Sequence, residues 1–475
     1  MLSAYDRLVK NLAQRSVMSD SCASATLARF TRTHSIADSI HSPAPAVRAA
    51  RMPRGFHFLI AAQFASALAD NALLIVTIAL LGERGLPPWW APLLKLGFTI
   101  FYVLLAPFIG ALADAAPKRR LMAWMNGVKV LGVLALLTGL QPVAAFAIIG
   151  LGAAGYAPAK YGLITELVGP ERLVAANGWL EVSVVCAALL GAMLGGVLVS
   201  AWLLDAAWMA GLQSLLDGLV SLLAASRYTA SLALLLLVYL ASSLLNLGVP
   251  DSGARYPACS FHWRSLLADF VQDNRRLWSD ADGGLSLAVT TLFWGLGATL
   301  QFAVLRWATD VLLLPLAQAA YLQASVAVGV VVGATAAGRW VPLSAAKHML
   351  VFGVLLGLMM PMIASTTSLP LAVVLLALVG AVGGVMVVPL NALLQHRGYT
   401  LLSAGRSIAV QGCSENASVL AMLAAYALLL AAGVPIVPVM WVFGLAIASG
   451  IAALMWRERR RARAELEATP QAAGS

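Results

Sequence analysis

The sequence predicts an all-α polytopic membrane protein with twelve transmembrane helices arranged as two parallel six-helix repeats. Three observations carry that expectation. The 475 residues are 61% hydrophobic and 11% charged, with a mean hydropathy of +0.86, whereas soluble domains are about 45–50% apolar. Twelve apolar segments fall at approximately 57–81, 92–113, 120–140, 143–166, 174–200, 230–249, 284–312, 318–341, 348–365, 370–395, 404–431 and 434–456, around the length of about 20 residues that crosses a bilayer. The polar stretch 251–283 divides them six and six, and the two sets look alike.

Charge sorts the connections. The net charge of +10 collects in Lys118-Arg119-Arg120, in the 251–283 loop (Arg255, Arg264, Arg275, Arg276), at Arg339, Lys347 and Arg397, and in the tail at Arg457, Arg459, Arg460, Arg461 and Arg463. The alternate loops hold almost no basic residues. That pattern is a topology signal and not a nucleic-acid surface, and it predicts that both termini are cytoplasmic. Residues 1–55 lack an apolar run of signal-peptide length and read as a disordered cytoplasmic arm. A translation start at Met52, just before the first span, is the alternative. Domain boundaries follow: an N-terminal half over 56–250, a cytoplasmic inter-half loop over 251–283, a C-terminal half over 284–456, and a basic cytoplasmic tail over 457–475. Cys22, Cys186, Cys259 and Cys413 lack metal-ligand spacing and read as core residues or free thiols. No metal and no cofactor is expected.

The first span holds Asp70 and Asn71 near its middle. A carboxylate there costs on the order of 2.5–3.5 kcal/mol on insertion scales unless it faces a partner or a wet cavity. At about 100° per residue, Gln63, Ser66, Asp70 and Thr77 share one stripe, the pattern of a cavity-lining helix. A structural salt bridge inside the bundle is the alternative. After the second span, Gly110 and Asp114 precede Lys118, Arg119 and Arg120; an acid and a basic cluster in a short turn can latch neighbouring helix ends and release them when the halves rock. A plain positive-inside anchor is the other reading. Lys129 lies in the third span. In the fourth, Pro158 opens the helix locally and Lys160 offers a point charge to an anionic group such as phosphate, or else snorkels to the interface.

The fifth span carries Asn177 and Glu181, then Gly191 and Gly195 on a face that lets another helix approach. Its segment 175–194 aligns without gaps on 409–428 in the eleventh span, placing Glu181 opposite Glu415 and Asn177 opposite Gln411. Pro158 of span four likewise answers Pro389 of span ten. Paired polar positions in two like halves predict a shared cavity near the midplane. The insertion 201–229 carries Leu204, Trp208, Leu212, Leu215, Leu219 and Leu223 at helical spacing, which predicts an interfacial helix on the outer surface or a loop helix packed on its own bundle. Gln301 and Arg306 lie in span seven. Asp70, Glu181 and Glu415 against Lys129, Lys160 and Arg306 make a balanced set of three buried acids and three buried bases. Gln63, Asn71, Gln301 and Asn391 suit interhelical hydrogen bonds. The sequence has no phosphate-loop motif, and no histidine is followed five residues later by aspartate, so no enzyme activity is expected.

The segments AQFASALADNALL, GALADAAPKRR, GYAPAKYGLITELV, AANGWLE, TLFWGLGATL, VVPLNALLQHRG and IAVQGCSENAS resemble the bacterial lysophospholipid transporter family of the major facilitator superfamily, over about residues 57–456. The resemblance implies inward movement of lysophosphatidylethanolamine and lysophosphatidylglycerol between leaflets of the bacterial inner membrane, with an acyltransferase–acyl-carrier-protein synthetase as functional partner. It carries cavity roles to Asp70, Asn71 and Lys160; the chemistry of such a lipid then suits Lys160 to its phosphate and Asp70 to an ammonium. The family's span-seven arginine falls at Gln301, and Arg306 lies about 140° away on the helix. The competing reading is a proton-coupled multidrug or metabolite antiporter using Asp70 or Glu181; Gly191 to Gly196 approaches that class's signature, with Ala192 at its proline position.

Overall fold

A computed structural model of the chain describes residues 52–86, 90–219, 226–254, 256 and 262–468. The arm to residue 51, Cys22, Leu223, Arg255 and Cys259 lie outside the described residues. The N-terminal half contains α1 (Arg54–Glu83), α2 (Trp90–Leu104), α3 (Ala106–Ala115), α4 (Lys118–Leu137), α5 (Pro142–Leu167), α6 (Pro170–Leu198), the short α7 (Ala201–Leu204), α8 (Ala207–Leu219) and α9 (Thr229–Leu247). After α10 (Trp263–Ser279) come α11 (Ala281–Asp310), α12 (Leu316–Trp340), a 3-10 turn (Leu343–Met349), α13 (Leu350–Ala364), α14 (Leu369–Leu401), α15 (Ala404–Ala431) and α16 (Ile436–Ala468). Among the described residues eleven helices are long and apolar enough to cross a membrane, and the bent pair α2–α3, taken as one span, makes twelve.

Packing repeats between the halves. In the first, α1 lies against α6, α2 against α5 and α4 against α9; in the second, α11 lies against α15, α12 against α14 and α13 against α16. Spans one, two and three thus choose the same partners as spans seven, eight and nine, as two parallel copies of one plan require. Without a hydrophobic effect between helices in lipid, small residues set how closely they pack. A Cβ on Gly191 would stand 2.6 Å from the Leu68 carbonyl oxygen, and one on Gly195 2.7 Å from that of Ala72.

Three segments depart from the sequence expectation, and a fourth, the insertion, admits two readings. The second span, expected continuous over 92–113, bends by 65° at Leu105, because Pro107 in the first turn of α3 supplies no N–H to continue the ladder. The 251–283 loop contains a helix of 17 residues, α10. The basic tail does not separate at 457 but continues α16 to Ala468, its Arg, Ala and Glu residues being good helix formers, and Glu458 is tied to Lys347 at 2.6 Å. In the insertion, α8 buries Met209 and packs Leu212 and Leu216 on the bundle, while Trp208 and Leu215 stay exposed. The packed face is that of a loop helix on its own bundle, and the other face stays exposed. Gln213 anchors it by accepting from the Ala230 amide and donating to the Ser226 carbonyl, each at 2.9 Å.

The close α1–α6 approach gives a direct check. Gly195→Leu is expected to lower stability in detergent by about 1–3 kcal/mol, the ordinary cost of overpacking, read as earlier loss of monodisperse protein on heating. Gly196→Leu, whose added Cβ meets nothing within 4 Å, is expected to leave the heating curve unchanged.

Candidate functional site

One chamber of about 570 Å³ lies between the halves. Its polar lining combines Gln63, Lys95, Lys160 and Glu181 from the first half with Gln301, Asn391, Gln411 and Glu415 from the second. The walls between them are apolar, including Phe98, Phe293, Trp294, Leu300, Val326 and Leu356. Pro158, two residues before Lys160, also lines it, and Pro389 is buried inside α14. Lys160 is buried; its Nζ donates to Gln63 Oε1 at 3.1 Å and stands 4.3 Å from the centroid of the Tyr161 ring. Among the described residues it makes no ion pair. Glu181 is buried to 7% exposure, and no hydrogen-bond partner is found for it among the described residues. Gln411 donates to Glu415 Oε1 at 2.8 Å and to Asn391 Oδ1 at 2.9 Å. The two repeat-related glutamates thus enter one chamber with a lysine, in surroundings where charge is costly unless it meets charge or water.

Several expected site residues lie elsewhere. Asp70 is absent from the chamber lining: its carboxylate accepts from Lys129 Nζ at 2.7 Å and from the Tyr239 hydroxyl at 2.6 Å. Lys129 also donates to Ser66, and a chain through Asn126 and Ser242 reaches the Ala62 carbonyl. Gln63 and Asp70 do share a stripe, but seven residues along the axis carry Asp70 to where α4 and α9 meet α1, and Lys129 neutralises it there. Asn71 donates to the Ala67 carbonyl and packs its Cβ towards Gly191. Arg306 is not a buried cation: its side chain is 57% exposed and pairs with Asp310 at 2.7 Å, because it faces away from the core that takes Ala303 and Trp307. The balanced buried set of three and three therefore dissolves into an Asp70–Lys129 pair and a chamber holding Glu181, Glu415 and Lys160. Lys95, exposed into the chamber, adds a second cation there. It stands near the start of the second span, where a lysine reads as an interface anchor.

The halves meet tightly at one end. Asp114 of α3 accepts from the Ser403 hydroxyl, from the Gly405 amide at 2.8 Å and from the Arg406 amide at 3.3 Å, so a first-half carboxylate caps the N-terminus of second-half α15. A Cβ on Gly110 would stand 2.8 Å from that of Ala409. Of the three predicted basic residues only Lys118 turns inward, pairing with Glu166 at 2.6 Å and Asp114 at 3.8 Å; Arg119 is half-buried and Arg120 exposed. Asn177 and Gln395 exchange amide hydrogen bonds of 2.8 and 2.9 Å across α6 and α14, and Gly178 lies under the Ala334 carbonyl, 2.9 Å from where a Cβ would be. Arg406 pairs with Asp269 and Asp273 of α10 at 3.0 and 3.3 Å. Burial raises the Asp273 carboxyl above its ordinary range, against the pull of Arg406. Burial also pushes the Asp280 carboxyl up, but hydrogen bonds from Arg397 and the Gly283 amide outweigh it and hold it below that range. Glu166 and Gln395 went unread in the sequence because polar residues at span ends are ordinary there. The chamber runs from this closed end towards Lys95, Gln301 and Gln323 at the other.

Two six-helix halves sealed at one end, with a charged and apolar chamber between them, define a membrane transporter whose halves rock about a central site. The profile of the Major Facilitator Superfamily matches residues 59–404. Over 389 residues the chain is 40% identical to the lysophospholipid transporter LplT of Yersinia pestis (strain Pestoides F), covering 82% of this chain and 90% of that one. The protein of that name in Yersinia pseudotuberculosis serotype O:3 (strain YPIII) matches equally. This chain belongs to the major facilitator superfamily and, within it, to the lysophospholipid transporter family. Among solved structures, a bacterial homologue of the iron transporter ferroportin in an outward-facing state is similar at a TM-score of 0.61 and 17% identity, over 86% of this chain and all (100%) of that one. The human organic anion transporter MFSD10 is similar at 0.61 and 16% identity, over 84% and 100%. These two likenesses concern the fold.

Two outcomes are expected. Gly178→Leu and Asp114→Asn should each widen the distance between spin labels at Ala115→Cys and Leu401→Cys in double electron–electron resonance, with Gly178→Leu the larger effect; unchanged distances would remove the gate assignment. Lys129→Met alone should cost about 3–5 kcal/mol of stability by stranding Asp70, and the Asp70→Asn/Lys129→Met pair should cost less than the single change. A larger loss in the pair, equal to the sum of both singles, would show the two charges to be independent.

Proposed function

We propose that the chain moves lysophospholipids, chiefly lysophosphatidylethanolamine and lysophosphatidylglycerol, from the outer to the inner leaflet of a bacterial inner membrane. The relatives named lysophospholipid transporters support the cargo. The observation that carries the reading is Lys160, a buried cation without an ion-pair partner among the described residues, opening into a chamber of largely apolar lining. A lysophospholipid brings one phosphate and one acyl chain, and both head groups share that phosphate. Lys160 takes the phosphate as a charge-assisted contact, and the apolar lining that includes Phe98, Phe293 and Leu356 takes the chain. Glu181 and Glu415 replace Asp70 as acceptors for an ethanolamine ammonium, since Asp70 is committed to Lys129. Basic loops support a cytoplasmic position for the Asp114 end and for both termini, so closure there presents the chamber to the outer leaflet. Reacylation by an acyltransferase–acyl-carrier-protein synthetase in the inner leaflet would consume the product.

Reconstituted proteoliposomes with labelled lysolipids test this. Lys160→Ala is expected to reduce uptake of both head groups by about tenfold or more, the value of a hydrogen bond to a charged group. Glu181→Gln with Glu415→Gln is expected to reduce lysophosphatidylethanolamine uptake to that extent while lysophosphatidylglycerol uptake persists. Wild-type rates in Lys160→Ala, or proton-driven dye efflux with no lysolipid uptake by the native protein, would overturn the reading.

A further inference from the structure

The inter-half helix α10 (Trp263–Ser279) packs across the closed end, touching α3 of the first half and α11, α14 and α15 of the second. Leu266 and Leu277 are buried, and Phe270 joins a small core with Leu287, Leu394 and Val410. Asp269 and Asp273 on that packed side hold Arg406, whose amide also binds the gate carboxylate Asp114. A second face has no use inside the protein. Trp263, Leu267, Val271 and Trp278 are 58%, 39%, 49% and 41% exposed, and at about 100° per residue they fall within one stripe about 80° wide. Arg264 and Arg275, both exposed, border that stripe, and Arg264 stands 5.1 Å from the Trp263 ring centroid. One residue, Asp280, separates α10 from the membrane-spanning α11, so the stripe lies at the level where spans leave the bilayer.

We propose that α10 docks on the anionic phospholipid surface at this end of the membrane, Trp263, Leu267, Val271 and Trp278 entering the acyl boundary and Arg264 and Arg275 meeting lipid phosphates. An exposed apolar stripe with aromatic residues, bordered along one edge by arginines, matches a lipid surface in both polarity and charge. Docking fixes α10, and α10 fixes Arg406 beside Asp114, so the charge of the leaflet favours the closed gate. This inference concerns membrane lipid, not cargo, and stands whichever solute the chamber carries.

The test uses the full chain with Cys22, Cys186, Cys259 and Cys413 replaced and a nitroxide at Val271→Cys. In phosphatidylcholine vesicles containing phosphatidylglycerol, the label is expected to collide readily with oxygen and poorly with a water-soluble nickel chelate. Each arginine near an anionic surface is worth about fivefold in docking, so R264Q/R275Q should lower the docked-to-undocked ratio by about 25-fold, and R264K/R275K should retain docking. A nitroxide at Leu355→Cys, on the exposed face of α13, reports that each variant is folded and inserted. Full nickel access at 271 in the phosphatidylglycerol-containing vesicles would overturn the proposal. Low access to both reagents would also overturn it, since that is what a docked protein or a second copy of the chain produces.

Discussion

A charge placed among lipid-facing helices has to meet an opposite charge, a dipole or water, and the arrangement of this molecule follows from how each of its charges does so. Lys129 meets Asp70 and Lys118 meets Glu166. Arg306 leaves the bundle and pairs with Asp310. Lys160 has neutral Gln63 and the face of Tyr161, and Glu181 lines the same chamber. The chamber keeps those two charges and Glu415 where a ligand with its own charges can reach them. Ion pairs elsewhere complete the framework, and their value is that they remove competing partners for Lys160.

Closure at one end rests on contacts that work only at short range. Gly110 and Gly178 let backbone approach backbone across the halves, and only then can the Asp114 carboxylate reach the free amides that begin α15. The reciprocal Asn177–Gln395 amide pair requires the same separation. Each contact is modest, about 1.5–3 kcal/mol for a hydrogen bond to a charged group and about 0.5–1.5 kcal/mol for one between neutral amides, and all are lost together if the halves part. A set of weak, distance-dependent bonds can part and re-form together, whereas a deeply interdigitated apolar seam would hold one state.

Most of the architecture was legible in the sequence, because bilayer thickness imposes span length and the repeat places Glu181 opposite Glu415. The small-residue face at Gly191 and Gly195 was also legible, as close packing in lipid selects it. What stayed hidden depends on depth and azimuth within the bundle. Asp70 sits on the predicted stripe with Gln63, yet its neighbour is decided by where Lys129 of another helix projects. Arg306 looked buried in an apolar segment, but one turn from the end of α11 it points outward. Lys95, Glu166 and Gln395 stand at span ends, where polar residues carry no special signal until the opposing half is in place. The bend at Leu105 was announced by Pro107 and disguised by the unbroken hydrophobicity around it.

The central assignment is that Lys160 recognises the phosphate of a single-chain lipid inside the chamber. Native mass spectrometry of the detergent-purified protein tests it directly, by titrating lysophosphatidylglycerol against a monoacylglycerol with the same chain and no phosphate. The expected result is preferential binding of the phosphate-bearing lipid by about tenfold or more, with the preference lost in Lys160→Gln while monoacylglycerol binding is retained. Equal binding of the two lipids by the native protein, or an undiminished preference in Lys160→Gln, would contradict it.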